Sequence, residues 1–168
     1  MNKPQKQYPL PDSDVSRNFE DAPSPLFRAS SGVMFPKYTS KPQSQMTSFE
    51  KMGLVREGIS KVDFEGFKQK AGLDYDQLAA TLAVARATLI NKKGAEKFNQ
   101  TLSEKIVSLA DIYSYGYEVF EDIRRFNEWV FRPNRALGGV PPFDLLDNQY
   151  GREEVKDLIG RIDYGVYS

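Results

Sequence analysis

Residues 120–168, FEDIRRFNEWVFRPNRALGGVPPFDLLDNQYGREEVKDLIGRIDYGVYS, form the stretch that decides the fold. It contains three short segments with apolar residues at helical spacing, separated by Pro133, by the run GGVPP at 138–142 and by Gly151. Because proline and glycine interrupt helices, this pattern predicts three short helices joined by tight loops. The stretch ends at 163–168 in DYGVYS, with no charged run after it. Since most chain ends are polar, this ending predicts a tail that packs against another surface.

The first of these helices carries the single tryptophan, Trp129, which we expect to be a core anchor. Gly138 and Gly139 predict a loop that needs unusual backbone angles or the close approach of another chain. The predicted helices cover residues 123–131, 143–146 and 152–162.

Two capped helices and a third helical segment precede this stretch. Residues 60–63, SKVD, have the spacing of a capping box, and Gly72 is placed to end the helix that follows. Residues 74–77, DYDQ, repeat the cap for a second helix that runs to about Leu82. After a short break the third segment occupies residues 85–93. Two short helices joined by a tight, alanine-rich turn are typical of a helix-turn-helix motif.

In such a motif the second helix lies in the major groove, and its N-terminal half reaches the bases. Arginine reads guanine and asparagine reads adenine, while lysines bind phosphates. An ordinary helical bundle with a solvated basic face is the alternative interpretation of the same residues. The predicted DNA-binding residues are Arg86, Ala87, Thr88, Asn91, Lys92, Lys93 and Lys97.

The longest predicted helix covers residues 102–120, with a cap assigned to Thr101. Apolar residues follow helical steps along its whole length, and a second apolar row broadens the stripe. Two interpretations stay open, a central helix that joins two subdomains and a dimer interface.

Residues 1–48 contain seven of the ten prolines and show no apolar periodicity of either kind. Such a segment buries too little surface to offset the entropy of ordering it. We therefore predict a disordered extension over residues 1–48.

Composition narrows the function classes. Lysine plus arginine and aspartate plus glutamate balance at 23 each, so no overall positive charge indicates nucleic-acid binding. Residues 111–168 carry 7 basic and 11 acidic residues, a net charge of −4 that contrasts with the mildly basic front. The chain has neither cysteine nor histidine, which excludes disulfides, thiolate nucleophiles and zinc fingers. We find no catalytic, metal or cofactor motif, and predict a cytoplasmic protein that is not an enzyme and does not contact a membrane.

The residues around Trp129 and the chain end also carry a resemblance. Ala136-Leu-Gly-Gly139, Pro142-x-Asp-Leu-Leu146, Gly151 and Arg161-Ile-x-Tyr-Gly-Val-Tyr-Ser168 resemble the C-terminal toxin-binding domain of Xre/MbcA/ParS-like antitoxins. The ending is most similar to members paired with toxins of the RES-domain type. The resemblance covers roughly residues 59–168 and implies that a helix-turn-helix domain precedes the toxin-binding domain.

The resemblance implies an antitoxin of a type II toxin–antitoxin system, paired with a toxin that consumes NAD or uses it for ADP-ribosylation. We expect the C-terminal tail to cover the toxin's active site, and the helix-turn-helix to bind the promoter for autoregulation. We also expect a homodimer within a larger toxin–antitoxin complex. The predicted toxin-binding residues are Leu137, Gly138, Gly139, Arg161, Asp163, Tyr164, Gly165, Val166, Tyr167 and Ser168.

The predicted fold is all-α, with a disordered extension at 1–48, a helix-turn-helix domain at 49–121 and a toxin-binding domain at 122–168. Two other functions stay open. One is a stand-alone DNA-binding regulator whose C-terminal domain only dimerises. The other is an interaction protein whose helix-turn-helix no longer binds DNA, which is favoured by Ile90 on the outer face of the motif.

Overall fold

The computed structural model describes residues 31–165, and helices are the main secondary structure of this part of the chain. Its seven α-helices are α1 Ser48–Glu57, α2 Lys61–Ala71, α3 Tyr75–Leu82, α4 Arg86–Ile90, α5 Gln100–Phe120, α6 Ile123–Trp129 and α7 Gln149–Asp163. Three 3-10 helices accompany them, η1 Gln43–Gln45, η2 Arg135–Leu137 and η3 Pro142–Leu145. Within residues 31–165 the only β pairing is two isolated bridges, Ser60–Lys97 and Asn134–Val140. The predicted all-α class is confirmed.

Polar side chains at the helix starts explain where most helices begin. Ser60 accepts a hydrogen bond from the backbone N–H of Asp63, and Asp74 forms a full capping box with Gln77, as the sequence predicts. The cap predicted at Thr101 is wrong, because Asn99 accepts from the backbone N–H of Leu102 and starts α5 two residues earlier.

Helix α1 is a feature that the sequence pattern did not indicate. Thr47 and Glu50 form a reciprocal capping box at its start. Among its residues only Leu54 is buried, while Phe49 and Met52 are exposed. A helix with one buried side chain has no amphipathic stripe, so the periodicity that reveals other helices is missing here.

The core is organised around α5. This 21-residue helix buries side chains on most of its circumference and packs against α1, α6, α7 and η1. It therefore has the role of a central helix, and elements of its own chain cover its apolar faces. The dimer-interface interpretation of this stripe is not needed to explain its width.

Aromatic rings fill the junction between α5 and α6. Phe126 lies edge-on to Tyr113 and Tyr117, with ring centroids 5.2 and 5.5 Å apart. Trp129 is half-buried and stacks on Phe126 at 5.6 Å, which agrees with its predicted role as an anchor. Gly116 makes this approach feasible, since a Cβ there would lie 2.1 Å from Cε2 of Phe126.

The prediction of a disordered extension over residues 1–48 is wrong for residues 31–48. Met34 and Phe35 are buried in the core, and the Gln43 side chain accepts a hydrogen bond from the Met34 backbone N–H. The Ser114 hydroxyl of α5 donates to the Gly32 carbonyl at 2.6 Å. Apart from η1, residues 31–47 pack against the rest of the chain without regular structure, so their prolines are tolerated and their few apolar residues show no period. The part of that prediction covering residues 1–30 lies outside the described residues.

The two predicted domains, 49–121 and 122–168, meet at the end of α5. Buried residues of both belong to one continuous apolar core, from Leu54 in α1 to Ile159 in α7. The division into two domains stays a prediction.

Candidate functional site

Helices α3 and α4 form the helix-turn-helix. Ala83 ends α3 in the left-handed conformation, with φ 52°, and its N–H bonds back to the carbonyls of Ala79 and Ala80. This geometry costs about 1 kcal/mol for a residue with a Cβ. Leu89 is fully buried and anchors α4 to the bundle.

The predicted base-contacting residues share the exposed face of α4. Ala87, Thr88 and Asn91 are exposed, and Arg86 begins the helix beside them. The Arg86 Nε lies 3.0 Å from a carboxylate oxygen of Asp76, at the start of α3. In this structure the guanidinium of Arg86 is therefore bound to the start of α3.

The predicted phosphate-binding lysines are divided between two places. Lys92 and Lys93 come directly after Asn91, the C-cap residue of α4. Lys97 instead donates to the carboxylate and the backbone carbonyl of Glu57, at 3.1 and 3.0 Å, and so fastens this loop to the end of α1. The structure thus brings together six of the seven predicted residues and places Lys97 in an ion pair.

A buried lysine lies beneath the helix-turn-helix. The Lys61 ammonium donates to the Tyr75 hydroxyl, the Glu65 carboxylate and the Leu89 carbonyl. Burial alone lowers the pKa of Lys61, but its hydrogen bonds to Glu65 and Tyr75 outweigh burial, and the net pKa is raised. Lys61 therefore stays charged at neutral pH.

The second candidate surface is the loop between α6 and α7. Asn134 caps η2, and Gly138 and Gly139 follow with φ of 70° and 85°. These left-handed angles confirm the prediction of unusual backbone geometry at the glycine pair. Leu137 is half-buried, so it contributes to the core as well as to the loop.

The loop is closed by η3 and the start of α7. The Phe143 N–H bonds to the carbonyl of Val130, and a Cβ at Gly151 would lie 1.8 Å from the Leu145 carbonyl oxygen. The helix predicted over residues 143–146 is a 3-10 helix that starts at Pro142. Gly151 is thus required for the close contact of α7 with η3.

The end of α7 presents the first residues of the predicted tail. Tyr164 is 83% exposed, so it does not complete the core of its own chain. Gly165 follows with φ 69°, a left-handed angle that redirects the backbone after the helix. Asp163 accepts a hydrogen bond from the Tyr115 hydroxyl at 3.2 Å. Val166, Tyr167 and Ser168 lie outside the described residues.

An open groove of about 840 Å³ lies beside this tail, between α5, α7 and η1. Burial together with the negative charge of Asp163 raises the pKa of Tyr115 in this groove to about 12. Arg161 is half-buried in its wall, whereas the glycine loop contributes none of the described lining residues. The lining comprises Ser44, Tyr115, Glu154, Lys156, Asp157, Gly160, Arg161 and Tyr164.

A buried carboxylate of the central helix α5 joins α1 to α7. Asp111 of α5 is 8% exposed and pairs with Lys51 of α1 at 2.7 Å and with Lys156 of α7 at 2.6 Å. We did not predict this cluster from the sequence. A single acidic residue between Ala110 and Ile112 in an apolar stripe was the signal that a buried ion pair forms there.

Comparisons with known proteins agree with both surfaces. Residues 51–111 match the Xre-like helix-turn-helix domain of antitoxins, and residues 116–165 match the C-terminal toxin-binding domain of Xre/MbcA/ParS antitoxins. The chain belongs to the Xre/MbcA/ParS family of antitoxins. The first match contains α4 and the second contains the glycine loop and α7, while α5 runs through both.

Three relatives of this antitoxin are similar over different lengths. A Prs ADP-ribosylating antitoxin of Sphingobium sp. strain YBL2 is 26% identical over 154 residues, which is 84% of this chain and 95% of the relative. An antitoxin Xre of Photorhabdus laumondii is 34% identical over 76 residues, 45% of this chain and 51% of the relative. An antitoxin Xre of Yersinia enterocolitica is 29% identical over 119 residues, 70% of this chain and 78% of the relative.

No helix within residues 31–165 of this antitoxin combines the length and the apolar character that crossing a membrane requires. In the same residues no group of three or more acidic, histidine or cysteine side chains is placed to hold a metal ion.

Proposed function

We propose that this antitoxin neutralises a RES-type, NAD-consuming toxin by covering the toxin's active site with its C-terminal tail. The observation that carries the proposal is the end of α7, where Tyr164 is exposed and Gly165 turns the backbone away from the helix. Both residues lie within the segment that matches the toxin-binding domain. An exposed aromatic residue at a turning point is available for a partner, because the core of its own chain does not bury it.

The chemistry of the ending fits an NAD pocket. Tyr164, Val166 and Tyr167 give residues 164–167 an aromatic and apolar character. Side chains of this kind suit a strip of chain that lies over a ligand pocket, because such pockets are lined mainly by apolar and aromatic groups. We assign the glycine loop at 137–139 and the last turn of α7, with Arg161 and Asp163, the role of holding the tail in place.

The relatives support a partner that uses NAD. The name of the Sphingobium relative refers to ADP-ribosylation, a reaction for which NAD is the donor. A toxin that transfers ADP-ribose to a protein target is therefore the second candidate partner beside a RES-type hydrolase. Measuring NAD consumption by the toxin with and without an acceptor protein distinguishes the two candidate toxins, because a hydrolase needs no acceptor protein.

A matched pair of tyrosines tests the role of the tail. Tyr164 and Tyr150 lie near opposite ends of α7 and are 83% and 79% exposed. Tyr164→Ala is expected to weaken neutralisation of the co-purified toxin by at least about tenfold, the loss typical of one interface anchor. Tyr150→Ala is the control and is expected to neutralise like the wild-type chain. Equal neutralisation by both variants would contradict the proposal.

We further propose that the helix-turn-helix binds the antitoxin's own promoter, as a homodimer within a larger toxin–antitoxin complex in the cytoplasm. Support comes from the exposed face of α4, where Arg86, Thr88 and Asn91 stand beside Lys92 and Lys93. Dimeric helix-turn-helix proteins bind two half-sites about one helical turn apart.

Substitution separates base contacts from phosphate contacts. Arg86→Ala and Asn91→Ala are expected to cost about 1–3 kcal/mol each and to relax base preference. The double variant Lys92→Ala/Lys93→Ala is expected to weaken binding to all DNA sequences alike, and its affinity should depend less on the salt concentration. Titration of promoter fragments at several salt concentrations measures both, and unchanged binding in all variants would overturn the assignment of α4.

A further inference from the structure

The ammonium of Lys61 joins three elements of the helix-turn-helix region. Lys61 is the first residue of α2, is 8% exposed and has exactly three N–H donors. They point to the Tyr75 hydroxyl at 2.6 Å, the Glu65 carboxylate at 2.7 Å and the Leu89 carbonyl. All three donors thus have acceptors, and they link α2 to the start of α3 and to the last turn of α4.

Helix α4 depends on such external contacts. It has only five residues, and its N-cap residue Ala85 carries no side-chain acceptor. Isolated helices of this length are unstable in water, so packing must hold them. The last carbonyls of a helix carry partial negative charge and have no partner within the helix. A buried ammonium on the Leu89 carbonyl satisfies one of them.

The backbone of α2 holds the segment after α4 as well. The Lys61 N–H donates to the Glu96 carbonyl at 2.8 Å, and the Val62 N–H donates to the Gly94 carbonyl at 3.0 Å. The side chain of Lys61 therefore holds the end of α4, while its backbone holds the loop that follows. Both contacts fix the same stretch of chain to the first turn of α2.

We propose that Lys61 is a positioning residue for DNA binding, which fixes the end of α4 and so the direction in which Arg86, Thr88 and Asn91 are presented. This inference rests on the proposed binding of promoter DNA. Lys61 is buried and does not itself reach a base or a phosphate; it acts through the Leu89 carbonyl.

Lys61→Met tests the role, because methionine keeps most of the stem and removes the ammonium. In the full-length chain the backbone amides of residues 88–91 are expected to exchange with solvent at least about tenfold faster than in the wild type. Promoter affinity is expected to fall at least about tenfold, while affinity for unrelated DNA, which depends on phosphates, changes much less.

Lys68→Met is the matched control. Lys68 lies on the same helix, its Nζ is 4.8 Å from the centre of the Tyr75 ring and 3.9 Å from the Glu65 carboxylate, and its removal changes the net charge equally. No hydrogen bond joins it to the Leu89 carbonyl in residues 31–165. It is expected to keep wild-type exchange and promoter preference. Equal behaviour of the two variants, or wild-type exchange and affinity in Lys61→Met, overturns the proposal.

The Lys61→Met experiment depends on a folded variant. If Lys61→Met does not fold, the same measurements are made on Lys61→Gln, which keeps one amide donor on a shorter stem. If that variant is also unfolded, Lys61 is a general folding residue and the positioning role is rejected. A wild-type chain that fails to bind its promoter refutes the proposed DNA binding. Amide exchange is measured without DNA, so the comparison of exchange rates still shows whether Lys61 fixes the end of α4.

Discussion

Asp111 and Lys156 form an ion pair, with 2.6 Å between Oδ2 and Nζ, that joins the central helix α5 to the last helix α7. The other carboxylate oxygen of Asp111 pairs with Lys51 of α1 at 2.7 Å. One buried carboxylate therefore holds both α1 and α7 to the central helix, and α7 is the helix that ends in the proposed tail.

Replacing Asp111 by Asn is expected to lower the free energy of unfolding by about 2 kcal/mol. Removing one partner of a buried pair costs about 3–5 kcal/mol, and we take a lower value because both lysines are partly exposed to solvent. Urea denaturation measures the change. Glu128→Gln, which breaks the exposed pair with Arg132, is the control and should cost less than about 1 kcal/mol. Equal losses in the two variants would contradict a supporting role for Asp111.

Gly116 is expected to be intolerant of a side chain. A Cβ there would lie 2.1 Å from a ring carbon of Phe126, so Gly116→Ala must displace the aromatic ring that docks α6 on α5. The expected cost is about 1–3 kcal/mol, as for other overpacked cores. Gly53→Ala, in the interior of α1 with no atom within 4 Å, should instead gain about 0.5–1 kcal/mol from helix propensity. Thermal unfolding of both variants measures these changes in stability. A Gly116→Ala variant as stable as the wild type would contradict the prediction and show that the Phe126 ring can move.

The ion pair between Arg86 and Asp76 is expected to restrain DNA binding. Arg86 must leave Asp76 to reach a base, and an exposed pair of this kind is worth at most about 1 kcal/mol. Asp76→Asn is therefore expected to raise promoter affinity up to about fivefold. Asp144→Asn, with the same charge change in η3, should leave it unchanged. Fluorescence anisotropy measures both, and a loss of affinity in Asp76→Asn would mean that Asp76 positions Arg86 instead.

Tyr115 is expected to make stability fall in alkaline solution. Burial and the neighbouring carboxylate of Asp163 raise its pKa in the folded chain to about 12, above the ordinary value of 10.0. The folded state therefore holds this proton more tightly than the unfolded state, and its contribution is complete below pH 10 and is lost as the pH rises towards 12. Tyr115→Phe should flatten the decline of unfolding free energy between pH 10 and 12. An unchanged slope in Tyr115→Phe would falsify this assignment.

Local signals in the sequence were sufficient for the elements that begin with a cap and carry a clear stripe. Ser60 and Asp74 predict the starts of α2 and α3 because a cap and its N3 partner lie three residues apart. The stripe of α5 predicts the helix itself, since its period is visible within one segment, but it left open whether the chain's own elements or a second copy covers the apolar face.

The sequence pattern was insufficient where contacts between distant residues determine the structure. Phe35 has no periodic neighbours, and it is buried because α5 and α2 supply a ready surface, with its ring 6.3 Å from that of Phe67. The pairs of Asp111 with Lys51 and Lys156 join residues 60 and 45 positions apart. The salt bridge of Lys97 with Glu57 spans 40 positions, so the sequence did not indicate it, while the phosphate-binding role of Lys97 stays a prediction. No local pattern contains such partners.

Truncation of the tail tests the central claim most directly. The chain without residues 164–168 and the full-length chain are each titrated into the co-purified toxin, while toxin binding and NAD consumption are followed in the same samples. The account predicts that the truncated chain unfolds at nearly the wild-type temperature and still binds the toxin, because α7 and the glycine loop remain, yet leaves NAD consumption running. A folded truncation that stops NAD consumption as effectively as the full-length chain would contradict the account.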